Sequence, residues 1–316
     1  MAYDISGMAA YSKSEGKILI ADLLLKGQSF TQEGIAVQEG IKSTDKMVDF
    51  SIDSNTFLQA TSGDPGALSY SGGSTLLDVD ISVVEVAAKE RYTTNTLNAK
   101  ITQMQLRAGS DPGNPLPYSD VLVDLKSRAI GTINDVALWQ GNTATGNTNG
   151  NTNKFDGWQK LIAAGAAVTG GSSAAFTAAT VVATVEAFVK AAHAAFPAWV
   201  NEGSYLYMSP TQFSTYYRAV YGLASVIDNQ SLNAGGPVES FYVPGTKVLV
   251  MATQGLTSQN NIYQTRFGNL VIGTDLVSED DSLSLEYLNE AMIWRLFAIY
   301  KLGAQVARVA EVVGSF

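Results

Sequence analysis

Chemistry in this chain would have to start from acidic side chains at short, regular spacing: Asp49 with Asp53, Asp78 with Asp80, and the run Glu279-Asp280-Asp281. Paired carboxylates can share the general-acid and general-base work of glycoside hydrolysis, or supply the oxygen ligands that Ca²⁺ and Mg²⁺ prefer. Side chains repeat every second residue along a strand, so Asp78 and Asp80 share a face, as do Asp49 and Asp53. If the two segments pair, four acids crowd together. Like charges across a ladder cost stability. Three readings follow: acids pointing into water, acids met by Lys or Arg of a neighbouring chain, or a bound Ca²⁺. Solvation is the simplest, and no second feature supports a catalytic pair. Glu279-Asp280-Asp281 reads as a solvated turn.

The remaining chemical candidates are few. Cysteine is absent, which removes disulfides, thiolate metal sites and cysteine nucleophiles. The single histidine, His193, sits in the alanine-rich "KAAHAAF" with no G-x-S-x-G elbow anywhere, so a serine hydrolase triad has no support and a packing or surface role is the better reading. No Gly-rich stretch is framed by strand and helix as a phosphate or dinucleotide site requires. Tyr205, Tyr207, Phe213, Tyr217 and Tyr221 could stack bases or sugars, but only Arg218 interleaves with them. The last three lie at i, i+4 and i+8 of one helix face, which favours core packing. The expectation is therefore no catalytic residue, no metal and no cofactor.

Composition narrows the partners. With 20 Lys+Arg against 29 Asp+Glu the net charge is −9, and charged residues make up only 16% of 316. A broad grip on nucleic acid needs the opposite sign, although such a chain can lie beside DNA without sticking. The apolar run near the N-terminus is broken by Asp22, follows no basic region and precedes no A-x-A site, so a cytoplasmic chain is expected. No run approaches the eighteen or so apolar residues of a membrane span.

The elements that must position these residues read as α+β. Residues 17–26 form a short, nearly all-apolar stretch that suits a helix covered on several sides by another part of an assembly. "DKMVDFSID" alternates Val48, Phe50 and Ile52 against Asp49, Ser51 and Asp53; "LLDVDISVVEV" alternates Leu77, Val79, Ile81 and Val83. Two strands with a Gly/Ser/Pro-rich segment between them make an extended hairpin. "NPLPYSDVLVDLKSRAIGTINDVALWQG" carries the strongest helix signal. Leu122, Leu125, Ala129, Ile133, Val136 and Gln140 line its expected buried face, and Asp120, Asp124, Ser127, Arg128 and Asp135 its polar one. Gly141 stands where a C-terminal cap belongs. At 1.5 Å per residue the rod is about 35 Å long.

"WQGNTATGNTNGNTNKFDGWQKL" then leaves the rod through a polar loop and resumes at Phe155 and Trp158. A second helix follows, with Val181, Val185, Phe188, Ala192 and Phe196 buried. Next come a strand over 205–208 and a helix opened by Ser209-Pro210-Thr211-Gln212, a capping box with proline at its first position. Short strands and turns continue to "MIWRLFAIYKLGAQVARVAEVV", one or two long, well-buried strands.

In this order of parts the chain resembles the major capsid proteins of tailed bacteriophages, the Hong Kong phage fold shared with the herpesvirus capsid floor and with encapsulins. The resemblance runs through the hairpin, the long helix ending "ALWQGN", the loop before "FDGWQKLI", "YLYMSPTQFSTYYRAV", "FYVPGTKVLV", "NLVIGTDL" and the closing strands. It implies an N-terminal arm (1–40), an extended hairpin loop (41–92), a peripheral domain with its spine helix (93–160), an axial domain (161–263) and returning peripheral strands (264–316). It also implies a structural, non-enzymatic subunit that closes into an icosahedral head through hexamers and pentamers around packaged double-stranded DNA. Such a chain is made in the bacterial cytoplasm, ends in the virion and has no membrane contact. A portal is implied, and scaffolding and decoration proteins are compatible partners. The Lys–Asn cross-link that some family members form, assisted by a Glu, has no matching trio here.

Expected contacts between subunits are Lys42, Lys46, Lys89 and Arg91 against the acids Asp49, Asp53, Asp78 and Asp80 of a neighbour. Gly141, Phe155 and Trp158 frame the loop after the spine helix, near a subunit contact in that family. Two other readings stay open: an encapsulin-like shell, and a carboxylate-dependent hydrolase working as a monomer.

Overall fold

A computed structural model of the chain describes residues 27–52, 74–93, 117–144, 150–165, 167–171, 176–220, 240–275, 284–288 and 293–315. Residues 17–26, Asp53, Tyr221 and Glu279-Asp280-Asp281, on which several expectations fall, lie outside these.

The spine helix α2 (Pro117–Gln140) follows a short helix α1 (Gln28–Thr31) and four strands, β1 (Ile35–Gln38), β2 (Thr44–Ile52), β3 (Ser74–Ser82) and β4 (Val84–Thr93). After the polar loop come α3 (Trp158–Ala164), β5 (Val168–Gly171), α4 (Val181–Ala195), α5 (Trp199–Glu202), β6 (Ser204–Met208) and α6 (Pro210–Val220). Strands β7 (Ser240–Tyr242), β8 (Val248–Ala252), β9 (Tyr263–Thr265), β10 (Leu270–Thr274), β11 (Ser284–Leu288), β12 (Ile293–Val306) and β13 (Val312–Ser315) complete the order.

The described residues form three sheets. The first is built on the long β12, which pairs with β4, β10 and β11, with β1 parallel to β10 at its edge. The second runs β5-β13-β9-β6-β8-β7. β13 follows the long strand by only a few residues yet enters this second sheet, so the expected returning segment 264–316 contributes strands to both. β12 alternates along much of its length: Leu296, Ala298, Tyr300 and Leu302 are buried, whereas Arg295, Phe297, Ile299 and Lys301 are half-exposed. One face of this strand is therefore only half-covered, where a well-buried strand was expected.

The third sheet is the two-stranded ribbon of β2 and β3, in register from Thr44 opposite Ser82 to Ile52 opposite Ser74. The single strand expected from Leu76 onward is interrupted at Val83. β4 instead pairs with β12, Val84 opposite Leu302 through Thr93 opposite Ile293. The junction is held where Val83 N–H donates to the Ser43 carbonyl at 2.9 Å. Ile81 and Val83 there bury into a small core with Ile41 and Val271. Gly303 lies directly against the Ser82 carbonyl, leaving no room for a Cβ, so the chain can cross the sheet closely at this point.

Two larger cores flank the second sheet. One packs Val181, Val185, Phe188 and Ala192 of α4 and Phe213 and Tyr216 of α6 against Leu206, Val250 and Val313. The expected α4 face is thus the buried one, with Phe196 half-buried. On α6 the inward residues are Phe213 and Tyr216, with Tyr217 half-buried and stacked on Phe213. Ser209 caps α6 through Gln212 N–H at 3.4 Å. Gln212 does not return the bond but donates to the Asn260 carbonyl at 2.8 Å, so half of the capping box forms.

The other core gathers Trp139, Trp158, Phe155, Ile162, Tyr207, Tyr263 and Leu302, and it reverses the expected orientation of the spine helix. Leu125 is 60% and Ile133 39% exposed, and Ala129 is exposed too. Ser127, Asn134 and Asp135 are buried. The reason lies in what covers α2. Asp135 accepts the backbone N–H groups of Gln28 and Ser29 at 2.7 and 2.9 Å, and Asn134 accepts the Tyr300 hydroxyl at 2.7 Å. Polar side chains turn inward because backbone and hydroxyl donors from distant segments need acceptors there.

Candidate functional site

Two places carry the residues singled out in the sequence: the hub at the C-terminal end of α2, and the β2–β3 ribbon.

At the hub the polar loop begins and ends on one glycine pair. Gly157 N–H donates to the Gly141 carbonyl at 2.8 Å. A Cβ on Gly141 would stand 2.5 Å from the Ala137 carbonyl oxygen and 2.6 Å from that of Phe155; one on Gly157 would stand 2.6 Å from the Gly141 nitrogen. Two backbones touch where no side chain fits. Gly141 does not take a left-handed cap; its N–H continues the helix to Ala137 at 2.9 Å.

Below this contact Phe155 and Trp158 are buried. Trp158 meets Trp139 edge-on at 4.9 Å and donates its indole N–H to the Gln305 carbonyl at 3.0 Å. Tyr207, whose phenol burial pushes up, donates to the Glu33 carbonyl at 3.2 Å. Gly34 reaches this spot with φ of +91°, its Cβ position filled by the Tyr207 hydroxyl and the Tyr205 ring. Gln140 ties the helix end to the neighbouring turn, donating to the Gly255 carbonyl at 2.6 Å.

The described part of the loop is clasped by Asp156. This carboxylate accepts Thr143 N–H at 2.8 Å, Thr143 O–H at 2.7 Å and Lys160 Nζ at 2.7 Å. Burial raises its pKa, but the bonds from Lys160 and Thr143 outweigh that and hold it below the usual carboxylate range. Asp156 is not among the candidates that the sequence singles out. Its signal was the i, i+4 Asp–Lys spacing into α3. Asp135 lies on the buried face and not on the polar one that its spacing predicts.

On the ribbon, register separates the acids. Asp78 stands opposite Val48 and Asp80 opposite Lys46, whereas Asp49 pairs with Leu77 one step out of phase. Residues opposite one another share a face, so this register sets Asp49 on the other face from Asp78 and Asp80; Asp53 lies outside the described residues. Lys46 reaches Asp78 of its own ribbon at 3.2 Å, with side chains 65% and 45% exposed. Such an open pair contributes little to stability.

Exposed beside this pair are Val48 and Leu76, 54% and 56% accessible. At the base, Gln305 donates to the Asp80 carbonyl at 2.6 Å. Lys42 is exposed. Lys89 and Arg91 do not belong to the ribbon at all. They sit on β4 opposite Phe297 and Arg295, with the Lys89 ammonium 5.1 Å from the Phe297 ring centre. Lys126 of α2 pairs with Glu90 at 2.6 Å, so this strand is fastened to the spine helix.

His193 is half-buried on the last turn of α4; burial lowers its pKa, and its Nε2 has no hydrogen-bond partner among the described residues. Among the described residues no three His, Asp or Glu side chains gather as metal ligands, and no helix is long and apolar enough to cross a membrane.

A helical spine crossing one sheet, a six-stranded second sheet and a ribbon standing off the first is an arrangement found among solved structures. A chain of the capsid of Myoviridae phage XM1 matches with a TM-score of 0.52 at 14% identity, over 92% of this chain and 91% of that one. The chain has the Hong Kong phage capsid fold. A satellite phage P4 procapsid that includes the size determination protein contains a match with a TM-score of 0.57 at 12% identity, over 95% and 89%. The virus-like particle from Pyrococcus furiosus gives 0.51 at 9%, over 95% and 96%. No protein-family profile matches the sequence, and no curated protein does. At such identities the likeness resides in the path of the backbone, and the capsid fold of this chain is specified by side chains largely its own.

Proposed function

We propose that this chain is a major capsid protein that assembles into the icosahedral head shell of a tailed bacteriophage around packaged double-stranded DNA. The observation that supports this reading best is the near end-to-end likeness to phage capsid chains. The ribbon adds a physical reason. A two-stranded sheet is marginal by itself and leaves both edges unpaired. Here it also presents Val48 and Leu76 to solvent. An arm of this kind gains stability by lying on another copy, and a shell repeats one such contact many times, so each can be weak. Lys42, Lys46, Asp78 and Asp80 are the charged groups that would set its register there. Asp49 and Asp53 belong to the same arm by sequence, and Lys89 and Arg91 supply cations at the sheet beside it.

The hexamers and pentamers, a portal, scaffolding or decoration proteins, assembly in the bacterial cytoplasm and residence in the virion all belong to this reading. A net charge of −9 suits a wall past which DNA can move, because few phosphates would be gripped. The loop framed by Gly141, Phe155 and Trp158 serves as a contact near the spine.

Purified protein, concentrated and crowded, tests the proposal by negative-stain microscopy and sedimentation. Closed particles of uniform diameter are expected. Sedimentation as a monomer at every concentration, with crowding agents present and also in extracts of the native source where any scaffolding protein is supplied, would overturn it. The likeness to a virus-like particle keeps an encapsulin-like shell as a second reading. Particles isolated from the native source decide between them, since packaged DNA raises the ratio of absorbance at 260 nm to that at 280 nm and a protein cargo does not.

A further inference from the structure

The spine helix presents Leu125, Ala129 and Ile133 at i, i+4 and i+8 to solvent, Leu125 at 60% and Ile133 at 39% exposure. Successive positions four apart form one continuous stripe on a helix, and a helix facing only water carries polar residues there. Something apolar should cover it.

The chain itself supplies a candidate whose point of departure is fixed. Gln28 and Ser29 are pinned by their N–H groups on Asp135 of the same helix, and Gln28 also exchanges bonds with the Ala252 carbonyl and Gln254 N–H. The described chain therefore begins, at Gly27, beside α2. Six of the eight residues from 18 to 25 are Ile or Leu, with Ala21 and Asp22 the others. At 100° and 1.5 Å per residue, on a helix about 5 Å in radius, the three stripe residues lie about 15 Å from Asp135 across the helix surface. Four or five extended residues span that distance, leaving enough of the segment to lie on the stripe.

We propose that residues 18–23 of the same chain cover the Leu125–Ala129–Ile133 stripe of α2. The occupant is the chain's own segment because its anchor is within reach, whereas a neighbour's copy would have to be brought there by assembly. The inference stands whether or not the protein forms shells.

The absence of native cysteine makes disulfide trapping direct. Pairs Ile20→Cys/Leu125→Cys, Leu23→Cys/Leu125→Cys and Leu23→Cys/Ile133→Cys are built into the full chain and oxidised mildly as unassembled subunits. At least one pair should give an intrachain disulfide in most molecules, seen as a monomer band with altered mobility and confirmed by peptide mapping. Leu23→Cys/Val200→Cys, with Val200 exposed on α5, should give none. Interchain dimers alone, showing a second copy as the occupant, or thiols that all stay open to alkylation, would overturn the proposal. Hydrogen exchange on the unaltered chain guards against misfolded variants: peptides covering 18–23 should exchange at least tenfold more slowly than unstructured ones. Exchange at the unstructured rate would count equally against it.

Discussion

Gly141→Ala tests whether the loop after the spine is closed by backbone contact. The added methyl meets three fixed backbone atoms, the Ala137 and Phe155 oxygens at 2.5 and 2.6 Å and the Gly157 nitrogen at 2.9 Å. None of these is the end of a movable side chain. Relief requires the two strands of the loop base to separate, an overpacking cost of about 1–3 kcal/mol. Separation also weakens the 2.8 Å bond from Gly157 to Gly141, worth about 0.5–1.5 kcal/mol. Alanine restricts the unfolded chain and returns about 0.4–1 kcal/mol. The balance is a net loss of about 0.5–4 kcal/mol, which for a chain of 316 residues lowers Tm by about 1–6 °C.

The assay is thermal unfolding of unassembled subunits by circular dichroism, because shell contacts would mask a local loss. Gly171→Ala is the control, since nothing among the described residues lies within 4 Å of its Cβ position; its Tm should stay within about 1 °C of the parent. A Gly141→Ala variant that melts with the control would refute the argument that the loop is closed there by touching backbones.

Three further outcomes are expected. Asp135→Asn should show a pH-dependent difference from the parent. Burial raises the Asp135 pKa against the pull of the Ser29 and Gln28 hydrogen bonds, so its stabilising contribution is fullest below the ordinary carboxylate pKa of about 4 and is lost as pH rises through the raised folded value. The parent's Tm advantage over the variant should thus shrink from about pH 4 toward neutrality, and a widening gap would reverse the sign.

Asp78→Lys with Asp80→Lys should leave the subunit's Tm within about 2 °C, because the Lys46–Asp78 pair is open to solvent. Particle yield by sedimentation should fall several-fold, and an unchanged yield would take the ribbon out of the interface. Trp158→Phe removes an indole bonded to the Gln305 carbonyl and packed on Trp139; a loss of about 2–4 kcal/mol in denaturant unfolding is expected. A loss below about 1 kcal/mol would mean the hub tolerates the gap.

What the sequence determined alone was local and periodic. The spine helix, α4 with its buried Val181, Val185 and Phe188, the Ser209 start of α6 and the alternation along β2 and β3 follow from the 3.6- and 2-residue periods and capping chemistry. The order of these parts carried the resemblance to the capsid fold, and the hairpin and the Phe155–Trp158 return could be placed from it. Tertiary structure decided what faces what. The apolar period of α2 predicted Leu125, Ala129 and Ile133 inward, yet the buried side is the one whose Asn134 and Asp135 receive donors from residues 300, 28 and 29. Periodicity records how apolar a face is, not whether a distant backbone needs an acceptor there. Register likewise parted Asp49 from Asp78 and Asp80, because a shift of one residue changes the face and no single strand states its partner's phase. The break at Val83, which sends β4 to the long β12, depends on Gly303, more than two hundred residues away, lying bare against the Ser82 carbonyl.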